Sequence, residues 1–287
     1  MAEELEIKLT LKPEDLASAL DWLLDQPEAT RENKKVLINR YYDTPDAELN
    51  GQKAALRVRQ SGDRFIQTLK TKGDFVAGAH RRQEWEWPLP SAELDLGLLA
   101  ETPLAGQISL ERLRTVFETN FERQIVMLHD DHSSIEVAID RGQVLSGARF
   151  RPLNEVEFEL KAGDSKALIG WAQKLASQVP VFLNLVSKAE QGYYLAGLYA
   201  PGPVVRAGEA KAISVTEFLH GLSLCWLTGE PFPLDQVDLT GVAATARRNG
   251  VGVQFENIIQ SLKDSKVVAD MLESVTLGQL QTALVAG

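Results

Sequence analysis

The chain opens on strict alternation, with Glu4, Glu6 and Lys8 on one side and Leu5, Ile7 and Leu9 on the other. A period of two marks a β-strand with unlike faces. The same pattern returns over residues 35–43, 56–59, 65–72, 82–87, 121–128, 134–140 and 155–161, giving eight predicted strands before Ser165. Gly62-Asp63 predicts a hairpin turn, residues 129–132 a second, and Asp140-Arg141-Gly142 a further turn. Between the strands, the spacing predicts helices over 13–26, where Leu16, Leu20, Leu23 and Leu24 form a stripe, and over 106–116, 164–178 and 188–198.

The strands carry charge on one face and carbon on the other. Amphipathic helices need an apolar surface to cover, and the only one the strands offer lies opposite their charges. The charges also segregate along the chain, mostly acidic at its two ends and mostly basic in the middle, whereas a solubilising surface mixes its signs. The expected fold is therefore α+β: an eight-stranded antiparallel β-barrel with an ionic interior, surrounded by helices. Trp85 and Trp87, opposite Glu84 and Glu86, belong to the covered outer face. Tyr41 and Tyr42 read as ordinary core positions.

Pro201-Gly202-Pro203 signals a linker. Beyond it, helices are expected over 216–227, 253–262 and 267–284, so the chain divides into residues 1–200 and a helical appendage of 201–287. Composition narrows the setting. A chain of 287 residues, 44% apolar and 24% charged, has no apolar run of bilayer-spanning length and no signal-like N-terminus. Its single cysteine, Cys225, excludes an internal disulfide, and cytoplasm is the expected compartment. A net charge of −10 argues against nucleic acid or anionic membrane as a partner. Oligomeric state is not legible.

The ionic interior has a specific chemistry. Carboxylates at alternate strand positions, without nearby imidazole or thiolate, are hard oxygen donors suited to Mg²⁺ or Mn²⁺. Arginines and lysines at the same spacing suit phosphate oxygens. Both sets in one cavity fit a linear polyphosphate with its metal ions.

The ordered set Glu4-x-Glu6-x-Lys8, Arg57-x-Arg59, Lys70-x-Lys72, Arg82-x-Glu84, Arg123, Asp140, Glu155-x-Glu157 and Ser187-Lys188-Ala189-Glu190 resembles the CYTH superfamily, the triphosphate tunnel metalloenzymes. Within it the chain looks most like bacterial inorganic triphosphatases. The resemblance covers residues 1–200 and implies a triphosphate tunnel in which inorganic triphosphate is hydrolysed with Mg²⁺ or Mn²⁺. It implies Glu4, Glu6, Glu155 and Glu157 as metal ligands, with Asp140 and Glu84 as further candidates. Lys8, Arg57, Arg59, Lys70, Lys72, Arg82, Arg123 and Lys188 would bind substrate. Glu4, Glu6, Lys8, Arg57 and Arg59 form the expected catalytic group. The tail departs from the family's bacterial pattern: it is too short for a whole CHAD domain and lacks that domain's basic helices.

Other polar groups attract less. His129 and His132 fall in a turn, His220 on an apolar helical stretch, and Cys225 beside Trp226 reads as core. A glycine-rich phosphate loop is absent. Related enzymes acting on organic triphosphates, such as thiamine triphosphatase or adenylate cyclase, would need a pocket for an organic group, and the sequence reveals none. A non-catalytic polyphosphate-binding module would keep the cations but tolerate loss of the carboxylates.

Overall fold

The structure is a computed structural model that describes residues 2–76, 79–203, 211–264 and 266–286. Alternation builds its main sheet. Eight long strands follow the predicted order: β1 (Ala2–Thr10), β2 (Ala29–Asp43), β3 (Ala55–Ser61), β4 (Arg64–Lys70), β6 (Ala79–Leu89), β7 (Arg114–His129), β8 (Ser133–Ser146) and β9 (Arg149–Gly163). Two short strands, β5 (Asp74–Val76) and β10 (Phe182–Leu183), join them. With three and two residues, these are too short to show alternation. The sheet therefore has ten strands among the described residues, ordered β10-β1-β9-β8-β7-β2-β3-β4-β6-β5.

β1 has neighbours on both sides. Glu6–Thr10 pairs with β9, while Ala2–Glu6 pairs antiparallel with His80–Glu84 of β6. The seam is short: after Glu6, β1 leaves β6 and takes β10 instead, at Leu9 and Thr10. The regular eight-stranded barrel expected from the sequence is thus corrected to a larger curved antiparallel sheet without a full-length closing ladder.

Helices cover the outer face. α1 (Asp15–Leu24), α3 (Lys166–Ala176), and the C-terminal α5 (Val215–Thr228) and α8 (Thr276–Val285) bury their apolar stripes against Ile7, Leu9, Val137 and Phe158 in one continuous core. The appendage also contains the parallel pair β11 (Lys211–Ala212) and β12 (Val237–Asp238), with α6 (Thr240–Arg248) and α7 (Gly252–Lys263). On α8, the Gln281 amide donates to the Leu183 carbonyl and accepts from its N–H, at 3.0 and 2.8 Å. That side chain occupies the open edge of β10. Across the sheet, α2 (Glu48–Gly51) and the 3₁₀ turns at Leu96–Glu101 and Leu110–Arg112 cover a second cluster around Leu49, Leu56 and Leu69, against which Trp85 and Trp87 pack.

Three local expectations are corrected. Residues 106–116 are not helical; a 3₁₀ turn gives way to β7 at Arg114, where Thr115, Val116 and Phe117 favour extended backbone. The stretch Asp140-Arg141-Gly142 runs straight through β8. A Cβ on Gly142 would lie 2.1 Å from the Asn120 carbonyl, so this glycine permits close approach of β7 rather than a turn. The reversal comes at Gly147, with φ +57°. The predicted helix 267–284 divides into a 3₁₀ turn at Val268–Met271 and α8, and α6 was not predicted.

α4 (Lys188–Ala196) is placed by packing. Ser187 and Glu190 close a capping box at its start, and a Cβ on Gly192 would meet the Phe117 ring at 2.1 Å. Phe117 is itself stacked on Tyr41 with centroids 4.5 Å apart. Gly192→Ala should therefore cost about 1–3 kcal/mol through overpacking, read as a lower urea midpoint at unchanged slope.

Candidate functional site

The alternating charges meet inside the curve of the sheet. Each of the eight long strands contributes a side chain to a cavity of about 230 Å³, and α4 closes one side with Lys188. Among the described residues, seven carboxylates and seven cations line it. They balance in number but not in place. β1, β6, β8 and β9 supply all the carboxylates, whereas Arg57 and Arg59 of β3, Lys70 of β4 and Arg123 of β7 form the basic wall. Strand pairing explains this: β1 lies between β6 and β9, and β9 lies beside β8, so the four acidic strands adjoin.

Register sets the acidic wall. Glu6 is opposite Glu159, and Glu159 is opposite Glu136, so three carboxylates sit side by side on β1, β9 and β8. Adjacent like charges repel. Lys161 offsets this, 2.7 Å from Glu159 and 3.9 Å from Glu136. Burial, reinforced by Glu4 and Glu136 against the opposing Lys161, still pushes the Glu159 carboxyl above its ordinary range. Lys70 bridges the walls, reaching Glu4 at 2.7 Å and Glu84 at 3.0 Å.

Lys188 is enclosed by carboxylates. Its ammonium lies 2.6 Å from Glu157, 2.8 Å from Glu155 and 2.9 Å from Asp140. Burial opposes its charge, but the three carboxylates outweigh burial and raise its pKa. Arg123 donates to both oxygens of Asp140 at 2.7 Å and to Glu157 at 2.8 Å. Burial likewise disfavours the Glu157 carboxylate, yet Lys188 and Arg123 hold its pKa well below the ordinary value. Lys8 donates to the Val186 carbonyl and lies 3.8 Å from Glu155.

Arg57 and Arg59 are differently placed. Arg57 is paired across β2 and β3 with Tyr41 and approaches Glu84 only to 3.7 Å, and its buried Nε has no hydrogen-bond partner among the described residues. Arg59 forms no ion pair among the described residues. Its Nε donates to the Asn39 carbonyl oxygen at 2.8 Å, and the Asn39 amide is fixed in turn by the Thr119 carbonyl. Burial and the charges of Arg57 and Arg123 push the Arg59 pKa down to about 9, against the weaker pull of Tyr41 and Asp140, so at neutral pH it remains a half-buried cation with no ion pair among the described residues. That is a site for an anion.

Of the residues the sequence singles out, Glu4, Glu6, Lys8, Arg57, Arg59, Lys70, Glu84, Arg123, Glu157 and Lys188 line the cavity. Asp140 and Glu155 lie just behind it, bound to Lys188. Lys72 does not join them: β4 ends at Lys70, leaving Lys72 exposed in the following loop. The backbone of Arg82 pairs with Glu4, but its side chain lies outside the described residues. Glu136, Glu159 and Lys161 belong to the cavity although only their alternation marked them, and Tyr41 faces it despite its ordinary core appearance. Among the described residues the turn histidines join no cluster; Asp130 accepts from the backbone of His132 and Ser133. Among the described residues, no three carboxylate, imidazole or thiolate groups are gathered as a ready metal cage.

The chain has relatives among known proteins. Over 200 residues the chain is 34% identical to the inorganic triphosphatase of Haemophilus influenzae, covering 68% of this chain and 55% of that protein. It therefore spans just over half of that relative's length. Among solved structures, a candidate adenylyl cyclase from Hippeastrum with a dominant triphosphatase activity superposes at a TM-score of 0.48 and 16% identity, covering 67% of this chain and 95% of its own. A candidate adenylate cyclase from Bacillus halodurans superposes at 0.39 and 17%, covering 61% and 89%. Residues 2–193 match the CYTH domain. The chain belongs to the CYTH domain family.

Proposed function

We propose that this chain hydrolyses inorganic triphosphate to diphosphate and phosphate, with Mg²⁺ or Mn²⁺, inside a tunnel formed by the curved sheet. The observation that carries this reading is the pair Arg57 and Arg59 on one face of β3, where the buried Arg57 Nε has no hydrogen-bond partner and Arg59 no ion pair among the described residues, in a cavity also lined by a row of carboxylates. The seam between β1 and β6, and the contribution of all eight long strands to one cavity, support the tunnel. The name of the Haemophilus influenzae relative supports the substrate.

The donor chemistry fits a hard divalent cation. Glu4, Glu6, Glu136 and Glu159 present oxygen ligands on adjoining strands without competing soft donors. Asp140, Glu155 and Glu157 converge on Lys188, with Arg123 on two of them, so we assign them to holding those cations. A bound ion would neutralise charge on phosphate oxygens and lower the pKa of a water molecule. Arg57 and Arg59 anchor the phosphate chain, with their planar forks matched to its oxygens. Lys70 holds Glu4 and Glu84 in place and shares its charge with the chain. Lys8, Arg123 and Lys188 extend the basic wall around the departing diphosphate. Tyr41 and Asn39 orient the two arginines.

The appendage of residues 201–287 is taken as a unit distinct in role from residues 1–200, although one core joins them. No helix among the described residues is long and apolar enough to cross a membrane; a cytoplasmic setting is part of the proposal. The carboxylate row is tested by Glu6→Gln, which keeps size and hydrogen bonding but removes a charge. Metal-dependent phosphate release should fall on the order of 100-fold or more, with the circular dichroism spectrum unchanged. A variant that unfolds, or retains full activity, contradicts the assignment.

A further inference from the structure

Lys8 and Lys188, the two buried lysines of the ionic cavity, depend on one stretch of chain. Residues 183–187 lead from the end of β10 into α4. Within them, the Val186 carbonyl accepts from the Lys8 ammonium, and Ser187 caps the helix whose first residue is Lys188. Both ammonium groups face Glu155, at 3.8 and 2.8 Å. A displacement of this stretch would move the two together.

What fixes the stretch can be read from its amides, because a buried N–H is costly to leave unpaired. Asn184 N–H donates to the Lys8 carbonyl at 3.1 Å, and its side-chain amide donates to Thr10 at 3.0 Å. Val186 N–H donates to the Asn184 side chain, and Ser187 N–H to Glu190, both at 2.9 Å. Those partners lie within residues 2–193, the extent of the family match. The remaining two lie outside it. Leu183 N–H donates to Gln281 of α8 at 2.8 Å, and Leu185 N–H to the Ser223 hydroxyl of α5 at 3.0 Å.

Both partners are wholly buried polar side chains among apolar neighbours, and each is fully engaged. The Ser223 hydroxyl donates in turn to the Leu219 carbonyl at 2.9 Å. α5 is itself anchored. Leu224 and Leu227 pack on Val186, and Arg151 of β9 donates to the Trp226 and Leu227 carbonyls at 3.0 and 2.7 Å. The Arg151 guanidinium also lies 4.2 Å from the Trp226 ring centre.

We propose that Ser223 and Gln281 are positioning residues of the ionic cavity: through residues 183–187 they set where Lys8 and Lys188 stand. Two helices from outside the family match thereby complete the site without touching its ligand. This rests on the phosphate reading above. Arg57 and Arg59 anchor the phosphate chain before reaction, whereas Lys8 and Lys188 serve the departing diphosphate, so the positioning acts on turnover more than on binding.

Steady-state tripolyphosphate hydrolysis by the full chain tests it, with Mg²⁺ or Mn²⁺, in native protein, Ser223→Ala, Gln281→Met and Leu262→Ala. Leu262 is buried on α7 and serves as the control for lost stability. Rates are expressed per binding site, counted by calorimetric titration with tripolyphosphate in EDTA, so that a smaller folded fraction does not pass for slower turnover. Ser223→Ala and Gln281→Met should each lower kcat per site about 10-fold, the order of a small misplacement of catalytic groups, with KM within about twofold. Leu262→Ala should keep the native kcat per site. Native kcat in either folded variant overturns the proposal, as does an equal fall in Leu262→Ala. Failure of both variants to fold overturns it too, and marks the two side chains as structural. If native protein releases no phosphate, the phosphate reading falls, and this role with it.

Discussion

Replacing Lys188 with methionine should destabilise the protein by about 3–5 kcal/mol at pH 7, the cost of stranding buried charge. Three carboxylates, Asp140, Glu155 and Glu157, lie within 2.9 Å of its ammonium, and the first two are almost wholly buried. Without Lys188 their cations among the described residues are Arg123 and the more distant Lys8, with the Gln191 amide donating to Glu155 at 3.0 Å. The pH dependence follows from the shifts. In the native chain Glu157 is held well below its ordinary value of 4.5, so its stabilising contribution is present above that value and lost as pH falls through the lowered folded pKa. In Lys188→Met the stranded carboxylates titrate higher than in the unfolded chain, so that variant gains stability as pH falls from 7 towards 5. Urea unfolding should show the gap between the two proteins narrowing over that range. Adding Glu157→Gln to Lys188→Met should recover part of the loss, as expected for directly coupled neighbours. A gap that is constant with pH would show that Lys188 acts through packing rather than charge.

Arg59→Met should do the reverse. The native guanidinium forms no ion pair among the described residues and is pressed by Arg57 and Arg123, with Asn39 as its hydrogen-bond partner. Removing it relieves a desolvated charge, so the unfolding midpoint should hold or rise. Tripolyphosphate binding should weaken by about 2–4 kcal/mol, the range for deleting one partner of a buried charge pair. A residue that merely supports the fold would lose stability and affinity together. Lower stability with unchanged affinity would remove Arg59 from the anion site.

The two variants separate two kinds of cation in one cavity, a distinction that spacing alone does not draw. Alternation shows that Arg57, Arg59, Lys70 and Arg123 share the face that carries Glu4 and Glu6, because strand period fixes the direction of each Cβ. It also separates the Trp85 and Trp87 face from the charges. What alternation leaves open is which acid meets which base, since that depends on register between strands far apart in sequence. Asp140 and Glu155 resemble metal ligands in the chain, but folding brings them to Lys188 on α4. The acidic row of Glu6, Glu159 and Glu136 exists only once β1, β9 and β8 are aligned. Gly142 misleads for a related reason: its missing side chain answers a neighbouring strand rather than a local turn. Lys72 keeps the right spacing but falls beyond the end of its strand. A second cavity, between α2 on one side and α4 and α5 on the other, left no sequence signal because those two sides lie more than a hundred residues apart in the chain.

The most direct measurement is phosphate release from inorganic triphosphate by the full native chain, with Mg²⁺, with Mn²⁺ and with EDTA. One phosphate per triphosphate is expected in the presence of at least one of the two ions, and none with EDTA. Tight triphosphate binding without release under either ion would contradict it, and would make the cavity a polyphosphate-binding site without catalysis.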